Sequence, residues 1–348
     1  MLTVRIVILV MAAASVASSR VNKIARLNGL EKKSAGGVIQ IKAQSVQGCK
    51  SFYECQGGIG SWKNQDQGVV KKATELTLLG VFDGHGKNGE RVSMALRKKF
   101  EDPKLFKEMA SKTSDVASLK VLIANALESV NRQFATSSGG STAVIALVLH
   151  DQLLVANVGD SRAIFLTRSE GKLKAKPLTI DQTPCFEGKM QDEDKRLQDL
   201  PQCEYDGTRT GWGYRLASIV KKDMAWVNKS CAGTSGGSII RLVTQSKWGM
   251  CGARFTRSVG DGECGDCTPA DPVFTVHPLV PSDAFLVLAS DGLTEFLDNK
   301  QIAGIVNNAG DNLEIAMESL FSKSRQLWLK EEDNEYVDDT TIILAKLG

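Results

Sequence analysis

Residues 76–89 read Leu76-Thr77-Leu78-Leu79-Gly80-Val81-Phe82-Asp83-Gly84-His85-Gly86-Lys87-Asn88-Gly89. The apolar run ending at Phe82 fits a buried strand, and the glycines after it mark a sharp turn. Glu90 to Phe100 then reads as a helix. Two chemistries compete for this strand-turn-helix. Gly84-His85-Gly86-Lys87-Asn88-Gly89 is a literal G-x-G-x-x-G, the fingerprint of a dinucleotide-binding oxidoreductase. That unit must continue into a second parallel strand. Here the chain runs on through Glu101-Asp102-Pro103-Lys104 and Ser111-Lys112-Thr113-Ser114-Asp115, with no β-branched run. Asp83 would also set a carboxylate against a pyrophosphate. The dinucleotide reading therefore ranks last.

Moving outward, the placement of Asp83 recurs. Asp160 follows Asn157-Val158-Gly159, Asp291 follows Leu288-Ala289-Ser290, and Asp338-Asp339 precedes the apolar run from Thr340. Asp66 stands in Asn64-Gln65-Asp66 just upstream. One aspartate at a turn is ordinary turn chemistry. Repeated carboxylates at strand ends, with no cluster of histidines, suit a hard oxygen-seeking cation such as Mg²⁺ or Mn²⁺.

The remaining periodicity is mixed. Leu119, Leu122, Ile123, Ala126, Leu127, Val130 and Phe134 recur at helical spacing. Thr142 to Leu149 and Leu153 to Val158 read as a hairpin across His150-Asp151-Gln152. Phe285 to Ala289 and Thr340 to Leu344 read as strands, with a helix over Leu313 to Leu329 between them. Hairpins rather than strict βα alternation argue against a purely parallel sheet.

The chain has 348 residues, 42% hydrophobic and 24% charged, with 32 glycines and 8 prolines, which excludes a disordered or fibrous chain. Its 43 Lys+Arg against 40 Asp+Glu leave +3, so a nucleic acid is not expected as a partner. Residues 1–19 differ from the rest. Arg5, the apolar run Ile6 to Ala14 and the small residues near Ala17 read as a secretory signal peptide. An uncleaved anchor or a buried strand is the alternative. The run falls short of the roughly 20 residues a span needs, so no stable membrane span is expected after cleavage.

In a secretory route the 8 cysteines become disulfide candidates. Cys49 and Cys55 form one group; Cys185, Cys203, Cys231, Cys251, Cys264 and Cys267 form another, and spacing leaves the connectivity open. Cys264-Gly265-Asp266-Cys267 has zinc-knuckle spacing but lacks a second pair. Residues 185–253 mix charge, aromatics, glycines and cysteines with the sequon Asn228-Lys229-Ser230, and read as an insertion or flap.

Taken in order, these segments resemble the metal-dependent protein phosphatases of the type 2C family. The resemblance rests on Asn64-Gln65-Asp66, Val81-Phe82-Asp83-Gly84-His85-Gly86, Ser141-Thr142-Ala143, Val158-Gly159-Asp160-Ser161-Arg162-Ala163, Leu178-Thr179-Ile180-Asp181, Thr256-Arg257-Ser258-Val259-Gly260-Asp261, Ala289-Ser290-Asp291-Gly292 and Asp338-Asp339-Thr340-Thr341. The segment Phe255-Thr256-Arg257-Ser258 and the stretch Ser324 to Leu329 are most similar to plant and protist members.

The resemblance implies an α+β fold, a four-layer sandwich of two antiparallel β-sheets flanked by helices, with a metal centre at one edge. With the signal peptide read at 1–19 and a polar N-terminal segment over 20–54, the resemblance covers a catalytic domain over 55–348 with the 185–253 flap inside it. Asp66, Asp83, Asp291, Asp338 and the Gly84 carbonyl would hold two Mg²⁺ or Mn²⁺ ions, and Asp160 a third, weaker one. His85 would be the general acid, with Asp83 at the catalytic centre. The expected activity is hydrolysis of phosphoserine or phosphothreonine in a phosphoprotein, by a monomer in the secretory pathway or outside the cell. A metal-binding pseudophosphatase acting as an interaction protein is the alternative.

Several positions depart from the family pattern. Ser61 stands where many members carry a phosphate-gripping Arg, and Lys63 is the nearest cation in sequence. Gln65 replaces an acidic residue, Gln182 a His, and Glu295 the Asp of the third-metal position.

Overall fold

The computed structural model describes residues 25–26, 38–58, 62–183, 196, 204–206, 241–246 and 249–348. Two antiparallel sheets carry the fold. The first contains strands β1 (Val38–Val46), β6 (Arg162–Ser169), β7 (Lys172–Pro177), β9 (Asp283–Ala289) and β10 (Thr340–Leu347), in the order β1-β10-β9-β6-β7. A two-residue strand at Ala25–Arg26 extends it beyond β1. The second contains β2 (Gln67–Lys72), β3 (Thr77–Phe82), β4 (Ala143–Val148), β5 (Gln152–Val158) and β8 (Val273–Pro278), in the order β8-β5-β4-β3-β2.

Strand alternation builds the layers. In β3, Leu79 and Val81 join Val144, Ala146, Phe165, Leu286, Leu288 and Ile343 in a core between the sheets. Leu78 and Phe82 face the other way, against Leu96, Phe100, Leu119, Ile123 and Leu127. Those residues belong to helices α1 (Gly89–Glu101) and α3 (Val116–Gln133); α2 (Pro103–Ala110) completes that outer layer. Phe285, Val287 and Ile342 of the first sheet pack on α4 (Asn299–Ala309) and α5 (Leu313–Glu331) through Ile302, Val306, Met317 and Leu320. Both faces of each sheet are covered, so apolar runs such as 76–82 are buried on two sides. The expected four-layer α+β sandwich is what forms.

The dinucleotide reading is excluded by strand direction: β3 pairs antiparallel with both β2 and β4. The boundary at residue 55 is corrected. β1 lies well inside the segment read as polar, pairs with β10 along its length, and sends Val38 and Ala43 into the inter-sheet core. Gln40, Lys42 and Gln44 alternate with Ile41 and Ala43 as a half-buried strand requires, a local period that the polar average of the segment outweighs.

Residues 1–19, read from the sequence as a signal peptide, lie outside the described residues. So do Ser61, the sequon at Asn228 and most of the 185–253 flap, of which Glu204–Asp206, Arg241–Ser246 and Gly249–Ala253 form a small antiparallel sheet. Among the described residues no helix is long and apolar enough to cross a membrane.

Candidate functional site

Pairing register brings the strand ends together. Phe82 at the end of β3 faces Gln67 at the start of β2, which sets Asp83 beside Asp66. Ala143 at the start of β4 faces Val158 at the end of β5, so Asp160 leaves from the same edge. Two residues later Arg162 opens β6 in the other sheet, opposite Ala289. Ala289 also faces Ile342 of β10, which places Asp291 beside Asp338. The carboxylates singled out in the sequence therefore share one edge of the sandwich.

Their charges interact. Asp66 is buried, and burial followed by Asp339 and Asp338 pushes its pKa well above the ordinary carboxylate range. Burial, then Asp66, Asp291 and Asp338, does the same to Asp83, whose carboxyl is hydrogen-bonded to that of Asp291. Asp291 is pushed up to about 6, by burial first and Asp338 next. Asp160 is raised by burial and by Asp291 and Asp181. Ser290 donates to Asp66 Oδ2 at 2.8 Å, while Asp66 Oδ1 and Asp291 Oδ1 are buried without a hydrogen-bond partner. Buried, unsatisfied and mutually repelling oxygens are unfavourable in a centre left to itself. Among the described residues no three His, Cys, Asp or Glu side chains stand, as placed, in a group that could hold a metal ion.

His85 stands at the mouth. It lies in the two-residue strand Gly84–His85, which pairs with Gly140–Ser141, itself paired with Val259–Gly260. Its Nε2 meets Asp261 Oδ2 at 2.6 Å, and its ring packs on Phe255 with centroids 4.2 Å apart. Asp261 is nearly buried and holds a left-handed backbone at φ 47°. A Cβ at Gly140 would come 2.5 Å from Asp261 Oδ2, so only glycine leaves room for this pair.

Among the described residues Lys50 and Arg254 flank the carboxylates, and Arg162, paired with Asp181, stands near Asp160. Lys50 donates to Asp338 Oδ1 at 2.8 Å. Arg254 pairs with Glu295 at 2.9 Å; burial works against its charge, but Glu295, Asp291, Asp160 and Asp338 together raise its pKa. Lys63, the cation expected from sequence, is 74% exposed and faces Glu90 at 3.8 Å. The ammonium on Asp338 belongs to Lys50 instead.

The departures at Gln65 and Gln182 acquire local roles. Gln65 donates from Nε2 to the Gly86 carbonyl, fixing the turn after His85. Gln182 is fully buried and accepts the Gly159 N–H at 2.7 Å, holding the turn that presents Asp160. Asp339 accepts the backbone N–H groups of Gly48 and Gln65, tying the N-terminal segment to β10. The Ser324 hydroxyl and the Trp328 indole of α5 both donate to the Gly292 carbonyl, anchoring the turn Asp291–Thr294.

Sequence reasoning gave Asp261, Lys50 and Arg254 no role. Asp261 was visible at the end of Thr256 to Asp261, but its partner is 176 positions away. Cys49 and Cys55 are disulfide-bonded to each other; Cys264 and Cys267 are also in disulfides, which removes the zinc-knuckle alternative.

The antiparallel α+β sandwich is a fold that solved proteins share. The structure resembles a serine-threonine phosphatase 2C from Toxoplasma gondii with a TM-score of 0.64 at 14% identity, covering 94% of this chain and 100% of that one. It also resembles the S. agalactiae serine/threonine phosphatase, with a TM-score of 0.53 at 18% identity, over 88% of this chain and 99% of that one. These likenesses establish the fold. In sequence, the chain is 32% identical to "Probable protein phosphatase 2C 35" of Arabidopsis thaliana, over 82% of this chain and 79% of that protein. It is 28% identical to "Probable protein phosphatase 2C 72" of the same plant, over 80% of each. The protein phosphatase 2C family pattern matches residues 39–209 and 234–325. The chain belongs to the protein phosphatase 2C family, whose members are metal-dependent protein phosphatases.

Proposed function

We propose that this protein hydrolyses phosphoserine and phosphothreonine in phosphoproteins at the carboxylate edge, by direct attack of water. The observation that carries the reading is the convergence of Asp66, Asp83, Asp160, Asp291 and Asp338, with two buried oxygens lacking any partner. Such a donor set fits divalent cations with all-oxygen ligands, Mg²⁺ or Mn²⁺. Asp66, Asp83, Asp291, Asp338 and the Gly84 carbonyl would hold two, and Asp160 borders a third position. When bound, the cations make hydroxide available near neutral pH and offset the charge on the phosphoryl group.

The chain supplies positioning and a proton. Asp261 accepts from His85 Nε2–H and fixes the ring, so that in the imidazolium form the second hydrogen, on Nδ1, is the transferable proton, and the neutral ring left behind keeps its Nε2–H on Asp261. The departing seryl or threonyl alkoxide takes that proton as its bond to phosphorus breaks. Gly84 and Gly140 keep the backbone close enough for this arrangement: a Cβ at Gly84 would meet the Gln65 and Gly89 carbonyl oxygens at 2.5 Å. Arg254 and Lys50 bring positive charge to a centre that must admit an anion. The interaction-protein alternative rested on the missing Arg at position 61; the cations Lys50 and Arg254 near the carboxylates support the enzymatic reading over it.

Residues 20–348 should turn over a phosphopeptide with Mn²⁺ or Mg²⁺, and a chelator should abolish turnover. Asp83→Ala should be folded and inactive. Full activity in that variant would reject the site.

We also propose that the protein follows the secretory route. The leader-like residues 1–19 support it, and so do the disulfides: among the described residues no cysteine is free. Expression in a eukaryotic secretory host should release protein beginning near residue 20 and glycosylated at Asn228. Retention of the leader would favour an anchored form instead.

A further inference from the structure

Lys50 is immobilised to an extent that a lysine rarely is. Its side chain is 18% exposed. Nζ donates to Asp338 Oδ1 and to the Tyr336 hydroxyl, and lies over the faces of Tyr336 (4.0 Å to the centroid) and Trp62 (4.8 Å). Its backbone is held as firmly. The Lys50 N–H donates to Glu54 Oε2, Cys49 pairs in both directions with Val337, and the Cys49–Cys55 disulfide closes the loop that carries it. Freezing a long flexible side chain has an entropic cost, so this much restraint asks what the charge is for.

Holding Asp338 in place is not the answer. Asp338 Oδ1 also accepts from the Tyr336 hydroxyl at 2.9 Å and from the Asp339 N–H at 2.9 Å. Those two donors would keep the carboxylate oriented without Lys50. What Lys50 alone adds at this oxygen is a full positive charge, among carboxylates that already repel one another enough to raise their pKa values. A phosphate dianion approaching such a centre meets the same repulsion. The 49–55 loop carries a cation to the acidic edge from a part of the chain separate from position 61.

We propose that Lys50 is the fixed positive charge that lets this centre hold a phosphate dianion, with the Cys49–Cys55 loop as its brace. The inference rests on the metal-centre reading above and adds to it the residue responsible for anion affinity. Its electrostatics carry a signature. A positive charge beside the centre favours an arriving anion and disfavours an arriving cation. Neutralising Lys50 must therefore weaken phosphate binding without weakening metal binding. A residue that merely supported the loop would weaken both.

The test is calorimetric, on the full chain. Mn²⁺ is titrated into chelator-stripped protein, and inorganic phosphate is titrated into Mg²⁺-saturated protein. For Lys50→Met, and for Lys50→Gln as a second neutral variant, phosphate affinity should fall about tenfold, the effect of one nearby charge in a partly screened site. Mn²⁺ affinity should be unchanged or tighter, and Lys50→Arg should bind phosphate like the wild type. Phosphate affinity within twofold of wild type in both neutral variants would overturn the proposal, as would equal weakening of both ligands. Failure of the wild type to bind Mn²⁺ would overturn the metal-centre reading itself, a separate result.

Discussion

His85 Nε2 and Asp261 Oδ2 lie 2.6 Å apart, joining the loop after β3 to a residue 176 positions later. A carboxylate on one imidazole nitrogen commits that nitrogen and leaves the other for proton transfer. Asp261→Asn removes the charge and keeps the shape. It should lower kcat about 10²-fold with little change in KM, within the range attributed to positioned general acids. In steady-state kinetics the double variant with His85→Gln should be no slower than His85→Gln alone. Additive losses would show that the two residues act separately.

Gly140→Ala tests the same pair by crowding. The new methyl would press on Asp261 Oδ2 at 2.5 Å and on the Val259 carbonyl at 2.6 Å. Overpacking of this kind costs about 1–3 kcal/mol. The variant should melt at a lower temperature, and its kcat should fall because Asp261 must move. An unchanged melting temperature would mean that the mouth yields freely.

The carboxylate edge predicts an inverted pH dependence for the metal-free protein. Asp66, Asp83 and Asp160 have raised pKa values, and that of Asp291 is about 6. The folded state therefore keeps protons that the unfolded chain has released by about pH 5. Where the folded state binds more protons, stability falls as pH rises. Melting temperatures in chelator should decline from about pH 5 to pH 8. Added Mn²⁺ should reverse the trend, because ionised carboxylates are the ligands. A rising metal-free curve would contradict strong repulsion among these groups.

The Cys49–Cys55 disulfide closes a short loop with a sequence separation of 6. Chain-entropy estimates for such a loop give roughly 2 kcal/mol. Replacing both cysteines with serine should lower the melting temperature and weaken phosphate binding, since the loop carries Lys50. Loss of stability with full phosphate affinity would separate the brace from the charge.

Much of this site could be read in the sequence for one physical reason: strand ends are rigid and announce themselves. Asp83, Asp160 and Asp291 each follow an apolar run, and sheet register then places them on one edge. β1 carries a strand signal, with Gln40, Lys42 and Gln44 alternating with Ile41 and Ala43, but the polar average of the segment outweighed it, and its pairing with β10 is not encoded locally. The partners of the site were not legible either. Lys50 reaches Asp338 across 288 positions and Arg254 reaches Glu295 across 41, and no local pattern encodes such pairings. The same holds for Lys63: proximity in sequence to position 61 pointed to it, yet its side chain turns to solvent and Glu90.

The central claim is that distant aspartates form one divalent-cation centre. Calorimetric titration of Mn²⁺ into chelator-stripped protein, for the wild type and for Asp83→Asn and Asp291→Asn, tests it most directly. Two ions per chain in the wild type, with binding lost or severely weakened in both folded variants, is the result the account predicts. No binding by the wild type, or equal binding by all three proteins, would contradict it.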